Sequence, residues 1–248
     1  MTANSSMGQI PKTAIVLGAG LGLRMRPLTQ DRPKPLVHFA DRPMIDYAID
    51  ALETAGVETV VVNVHYLADQ LEAHLKKRKS PNLIISDERD RLLDTGGGVK
   101  RALPLLGDGP FYIHNSDSVT IAGLGRNLEN LAAAFDPARM DSLLLLSTGA
   151  HAIGYQGEGD FAMDIDGKLS RRVERRVVPF VFTGVSVTTA AMFKGAPDGT
   201  FSLNQLWNRS IENERLFGLR QDGFWMHLGS TQALAEAERH LSVGESYF

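Results

Sequence analysis

Five short apolar runs, at residues 14–17, 59–64, 83–86, 111–115 and 142–147, punctuate the first 150 residues, with helical patterns between them. Between the first two, Ile45, Ala48, Ile49 and Leu52 recur at helical spacing, with Pro43 suited to a first turn. Leu67, Leu71 and Leu75 mark one face of a helix over 66–77. Residues 98–105 read as a helix stopped near Pro104, and 124–135 as another. Strand and helix in turn predict βαβ units, hence a Rossmann-like α/β fold with a mostly parallel central mixed sheet and helices on both faces. From about residue 159 the pattern changes. Runs at 161–165 and 168–173 flank Asp166-Gly167, a hairpin signal, and are followed by a strand over 181–187, a helix over 203–214, a strand over 224–228 and a helix over 231–241. These form a smaller hairpin and helix lid region within one domain, 11–248, preceded by a disordered tail, 1–10. A ligand cleft is expected at the carboxyl ends of the parallel strands.

Composition narrows the partners. With 26 Lys and Arg against 29 Asp and Glu, the net charge of −3 argues against nucleic acid or a membrane surface, so an anion site must be local. The chain has no cysteine, which excludes disulfides and thiolate metal sites and fits a cytoplasmic location. Residues 1–9 lack the cationic start and apolar core of a signal peptide, and no run approaches the ~20 apolar residues that span a bilayer.

The first strand leads into Leu17-Gly18-Ala19-Gly20-Leu21-Gly22. A dinucleotide fingerprint would have a third glycine where Leu23 stands and an acid ending the second strand, which here runs Val62-Asn63-Val64-His65. A Walker loop is also missing. Gly18, Gly20 and Gly22 instead leave unshielded backbone N–H groups, a nest for oxyanions. Arg24 and Arg26 follow, and Pro33 and Pro35 clamp Lys34 between them. Amide donors with two or three fixed cations match a triphosphate and its roughly four negative charges.

The stretch Gly20-Leu21-Gly22-Leu23-Arg24-Met25-Arg26-Pro27-Leu28-Thr29, followed by Pro33-Lys34-Pro35, resembles the signature of the sugar-1-phosphate nucleotidyltransferases, G-x-G-T-R-[LM]-x-P-x-T and then P-K-P. The similarity runs from Lys12 to about Leu241, with leucine at 23 where threonine is usual. The resemblance implies transfer of a nucleotidyl group from a nucleoside triphosphate to a sugar 1-phosphate. It places Leu17, Gly18, Ala19, Gly20 and Gly22 around the nucleotide, Arg24 on the leaving pyrophosphate and Lys34 on the phosphates at the reacting centre.

The same resemblance assigns the other pieces. Asp117, after the run Phe111-Tyr112-Ile113-His114-Asn115, takes the place of the aspartate that binds Mg²⁺. Gly96, Gly97 and Gly98 are expected as a flat wall against the base, with Glu88 accepting the imino proton of uracil or guanine. Asn115, Thr183 and Gly184 are sugar-side candidates, with Glu174 a weaker one. Arg171, Arg172, Arg175 and Arg176 read as a solvated hairpin face. The main departure is His227, in Trp225-Met226-His227-Leu228-Gly229-Ser230, where the family commonly has a second metal-binding aspartate. Imidazole suits Mn²⁺ or Co²⁺ better than Mg²⁺, and His227 reads as a ligand, a ligand through water, or a donor to phosphate. The remaining histidines read as structural or exposed. Among the subgroups, the short uridylyltransferases acting on N-acetylmuramic acid 1-phosphate are most similar, followed by short guanylyltransferases acting on mannose or heptose 1-phosphate. A degenerate nucleotide-sugar-binding protein is the non-enzymatic alternative.

Overall fold

The computed structural model describes residues 10–121 and 126–244. Of the expected tail, residues 1–9 lie outside this description, while Ile10 packs against the core. The start of the helix expected over 124–135 also lies outside it.

In chain order the strands are β1 (Thr13–Leu17), β2 (His38–Phe39), β3 (Arg42–Pro43), β4 (Thr59–Val64), β5 (Asn82–Asp87), β6 (Phe111–Asn115) and β7 (Ser118–Ile121). They continue as β8 (Ser142–Thr148), β9 (Ala152–Ile153), β10 (Phe161–Met163), β11 (Leu169–Arg171), β12 (Phe180–Thr188), β13 (Leu216–Arg220) and β14 (Phe224–His227). The helices are α1 (Met44–Thr54), α2 (Ala68–Leu75), α3 (Asp94–Leu106), α4 (Asn127–Ala134), α5 (Leu203–Glu212) and α6 (Thr231–Gly244).

β5, β4, β1 and β6 lie side by side and parallel. β12 then joins β6 antiparallel, β8 joins β12 antiparallel, and β13 runs parallel to β8. This is the expected mixed sheet, mostly parallel in its first half. Side chains alternate between two cores, as a strand's twofold period requires. Ala14, Val16, Val60, Val62, Leu143 and Leu145 face α1, α2 and α4. Ile15, Val61, Leu144 and Leu146 face α3 and α5. Burying each valine, leucine or isoleucine among them contributes roughly 1.5–3 kcal/mol, which is why these strands read as unbroken apolar runs.

The expected lid is divided. The β10–β11 hairpin extends the main sheet through β12, so it is no separate layer. β14 instead forms a second, three-stranded sheet with β7 and β9, and α6 packs on its apolar side through Leu234 and Ala237. α3 begins earlier than anticipated, at Asp94, and carries Pro104 in its last turn rather than ending before it.

Candidate active site

The parallel strands end at one edge, and the candidate residues gather there. A cleft of about 530 Å³ is lined by Leu17, Gly18, Ala19, Gly20, Arg24, Lys34, Asn63, Glu88, Asn115, Ser116 and Asp117, with Asp94, Thr95 and Thr200 on its far side. A larger hollow of about 640 Å³ opens at the opposite end of these strands, between Thr13 and Pro137, and collects none of the candidates.

After β1 the chain makes two tight 3₁₀ turns, Leu23–Met25 and Lys34–Leu36. Buried Met25 anchors the first, leaving its neighbour Arg24 exposed. Pro33 precedes the second with φ −67°, as its ring requires, and Pro35 is buried within it. Gly22 adopts φ +64° and packs against Thr29 and the Cβ of Lys34. A side chain there would be strained and would push Lys34 aside.

The lysine so positioned forms an ion pair with Asp117, donating from Nζ to Oδ2. Both side chains are about 15% exposed. Burial alone would raise the Asp117 carboxyl, but the Lys34 ammonium overrides it and holds Asp117 below the usual carboxylate range. Asp117 leaves β6 in a two-residue turn into β7, where Ser118 pairs with His227 of β14 and the Leu228 amide donates to the Asp117 carbonyl at 3.2 Å. His227 therefore stands beside Asp117. Burial lowers its pKa, Lys34 and Arg24 act in the same direction, and Asp117 opposes them, so the ring is neutral near pH 7. A Cβ on Gly229 would lie 2.6 Å from the His227 ring and 3.3 Å from a guanidinium nitrogen of Arg24. That glycine lets the two side chains close over it.

Several assigned contacts have other partners. The Gly18 amide donates to Asn63 Oδ1 at 2.8 Å and is not open to an oxyanion. The amides of Ala19, Gly20 and Leu21 have no partner among the described residues, so the anion nest starts one residue later. Gly96, Gly97 and Gly98 are buried in packing rather than presented to the cleft. Cβ atoms there would lie 2.4 Å from the Phe201 ring, 2.2 Å from the Gly199 carbonyl and 2.7 Å from Glu88 Oε1, respectively. Glu88 is 0% exposed. Its Oε1 accepts from Asn63 Nδ2 at 2.7 Å and its Oε2 from the Leu93 amide at 3.3 Å. Burial pushes its carboxyl up despite those bonds.

On the opposite side, Gly184 has φ +90° at a register shift in β12, close to Asn115 and Ser118. Thr183 is turned into the sheet: its hydroxyl donates to the Leu145 carbonyl at 2.9 Å and its carbonyl accepts from Ser118 Oγ. Its side chain is thus not a sugar contact. Glu174 is exposed in the turn after β11 and does not line the cleft. Nor is the arginine run uniformly solvated. Arg171 donates to Asn204 and Asn208 at 2.8 Å and stacks 4.7 Å from the Phe161 ring, and Arg172 pairs with Glu158 at 2.6 Å. Sequence reading did not assign Asn63, Asp94, Thr95 or Thr200 to the site, although all four line the cleft. Asn63 carried a signal, as the polar residue within Thr59-Val60-Val61-Val62-Asn63-Val64.

Among the described residues no three His, Asp or Glu side chains cluster as a metal cage. Asp117 and the neutral His227 fit a cation that draws its remaining ligands from substrate oxygens. One carboxylate with one imidazole suits an ion of borderline hardness.

The chain matches the nucleotidyl transferase family over residues 13–149. It belongs to the sugar-1-phosphate nucleotidyltransferases. It is 45% identical over 240 residues to an N-acetylmuramate alpha-1-phosphate uridylyltransferase of Caulobacter vibrioides, covering 95% of this chain and 99% of that one. It is 31% identical to a mannose-1-phosphate guanyltransferase of Hypocrea jecorina over 87% of this chain and 60% of that one. A UDP-glucose pyrophosphorylase solved with UDP-glucose superposes with a TM-score of 0.76 at 16% identity, covering 94% of this chain and 99% of that one; that likeness concerns the fold. A sugar-1-phosphate nucleotidyltransferase is an enzyme, and its Arg24, Lys34 and Asp117 face one cleft.

Proposed function

We propose that this nucleotidyltransferase joins UTP to N-acetylmuramic acid 1-phosphate, releasing pyrophosphate and supplying a nucleotide sugar for cell-wall synthesis in the cytoplasm. The observation that carries the reading is the meeting of Arg24, Lys34 and Asp117 at the glycine loop, together with 45% identity over nearly the whole chain to a uridylyltransferase for that sugar phosphate. An oxygen of the sugar phosphate attacks the α-phosphorus in line, and the bond from that phosphorus to the bridging oxygen breaks. The acceptor phosphate, with its second pKa about 6, is already anionic, so no general base is required. The protein supplies alignment and charge neutralisation.

Free amides of Ala19, Gly20 and Leu21 receive the triphosphate, and Arg24 neutralises the departing pyrophosphate. Lys34 exchanges its carboxylate partner for phosphate and draws the two anions together. Asp117 and His227 would hold a divalent cation, Mg²⁺ or a softer ion such as Mn²⁺ or Co²⁺. Bound there, it would neutralise phosphate charge as a Lewis acid. Glu88 borders the base side of the cleft and Asn115 the sugar side, with Gly184 packed behind Asn115.

The test is a matrix of UTP, GTP, CTP and ATP against N-acetylmuramic acid, mannose and glucose 1-phosphates, following pyrophosphate. UTP with N-acetylmuramic acid 1-phosphate is expected to be fastest. Preference for GTP with mannose 1-phosphate would replace this reading by the guanylyltransferase one.

A further inference from the structure

Asn63 is buried to 2% exposure at the carboxyl end of β4, directly beneath the glycine loop. Both ends of its amide are committed: Oδ1 accepts from the Gly18 amide at 2.8 Å, and Nδ2 donates to Glu88 Oε1 at 2.7 Å. Glu88 passes the chain on to the Leu93 amide at the start of α3. Gly98 leaves room for the pair, since a Cβ there would lie 2.7 Å from both Asn63 Nδ2 and Glu88 Oε1. One polar chain therefore links the loop after β1, the ends of β4 and β5, and the first turn of α3. Gly18 is the last residue before the run of unpartnered amides, so the bond from Asn63 sets where that run begins.

We propose that Asn63 is a positioning residue for nucleotidyl transfer, fixing the phosphate-gripping loop through Gly18 and tying it to the base-side wall through Glu88. The inference rests on the triphosphate reading of the loop. A buried amide satisfies both neighbours at once, donating to a carboxylate and accepting from an N–H, which neither alanine nor aspartate does.

Inorganic tripolyphosphate, which has no base, isolates the loop from the base pocket. Removing the Gly18 bond is expected to weaken its binding about tenfold in Asn63→Ala, and at least as much in Asn63→Asp, which sets two carboxylates face to face. The exchange Asn63→Asp with Glu88→Gln restores all three bonds: the Gly18 and Leu93 amides still donate to oxygens, and only the bond between positions 63 and 88 is reversed. It is expected to recover most of the affinity, which loss of packing alone would not do. Should the single variants not fold, the native protein still decides. Its Gly18 amide is expected to be protected from hydrogen exchange without ligand, while those of Ala19 and Gly20 gain protection only with tripolyphosphate. Equal binding by wild type and Asn63→Ala, a double variant as weak as Asn63→Asp, or a freely exchanging Gly18 amide would overturn the proposal. Failure of the wild type to bind tripolyphosphate would overturn the phosphate-loop reading as well.

Discussion

Lys34 and Asp117, 83 positions apart in the chain, meet as an ion pair at the mouth of the cleft. Each is largely shielded from water, so removing one strands the other. Lys34→Ala is expected to cost about 2–3 kcal/mol in urea unfolding without nucleotide or metal, and adding Asp117→Ala is expected to recover part of that loss. Additive losses would show that the pair is not coupled.

Arg24 is exposed and has no ion-pair partner among the described residues, so the fold owes it little. Arg24→Ala is expected to lower kcat/KM for pyrophosphate release by about 100-fold or more while leaving the Tm nearly unchanged. A near-normal rate would remove Arg24 from the mechanism.

Two glycines are expected to fail differently. A Cβ on Gly97 would meet a backbone carbonyl at 2.2 Å, whereas Gly20 has nothing within 4 Å. Gly97→Ala is expected to cost about 2 kcal/mol or more of stability. Gly20→Ala is expected to melt normally yet bind triphosphate more weakly, because its methyl group occupies the approach to the free amides. Thermal melting and equilibrium binding on the two variants check both halves.

Glu88 gives a pH signature. Its folded pKa is raised by burial above the unfolded value near 4.5, so the folded state holds the proton longer. Its contribution to stability is complete below the unfolded pKa and is lost as pH rises through the folded one. Urea unfolding from pH 4 upward is expected to show wild type losing stability relative to Glu88→Gln over that window. A constant difference between the two would contradict it.

His227→Asp replaces a neutral nitrogen donor with a hard, charged oxygen. The ratio of Mg²⁺-supported to Mn²⁺-supported pyrophosphate release is expected to rise. An unchanged ratio would argue against His227 as a ligand.

The sheet and the course of the glycine loop were legible because they depend on short-range patterns. Apolar strands buried on both faces, the glycines after β1 and the proline-clamped lysine each leave a mark within a dozen residues. Partnerships across the chain leave none. That Gly96 and Gly97 make room for Phe201 and Gly199, rather than for a ligand, follows from a segment about a hundred positions away. The strands β7 and β13 went unread because Ser118–Ile121 and Leu216–Arg220 are short and take their pairing from distant partners. Asn63 was noticed only as the wrong residue for a dinucleotide, although a lone amide in an apolar strand has to find its hydrogen bonds somewhere.

The histidine stands on a three-stranded sheet, whereas the glycine loop springs from the nine-stranded one. Ser116 and Asp117 make the short turn that joins the two sheets beside the cleft, so any shift of one sheet against the other is felt first at the Lys34–Asp117 pair.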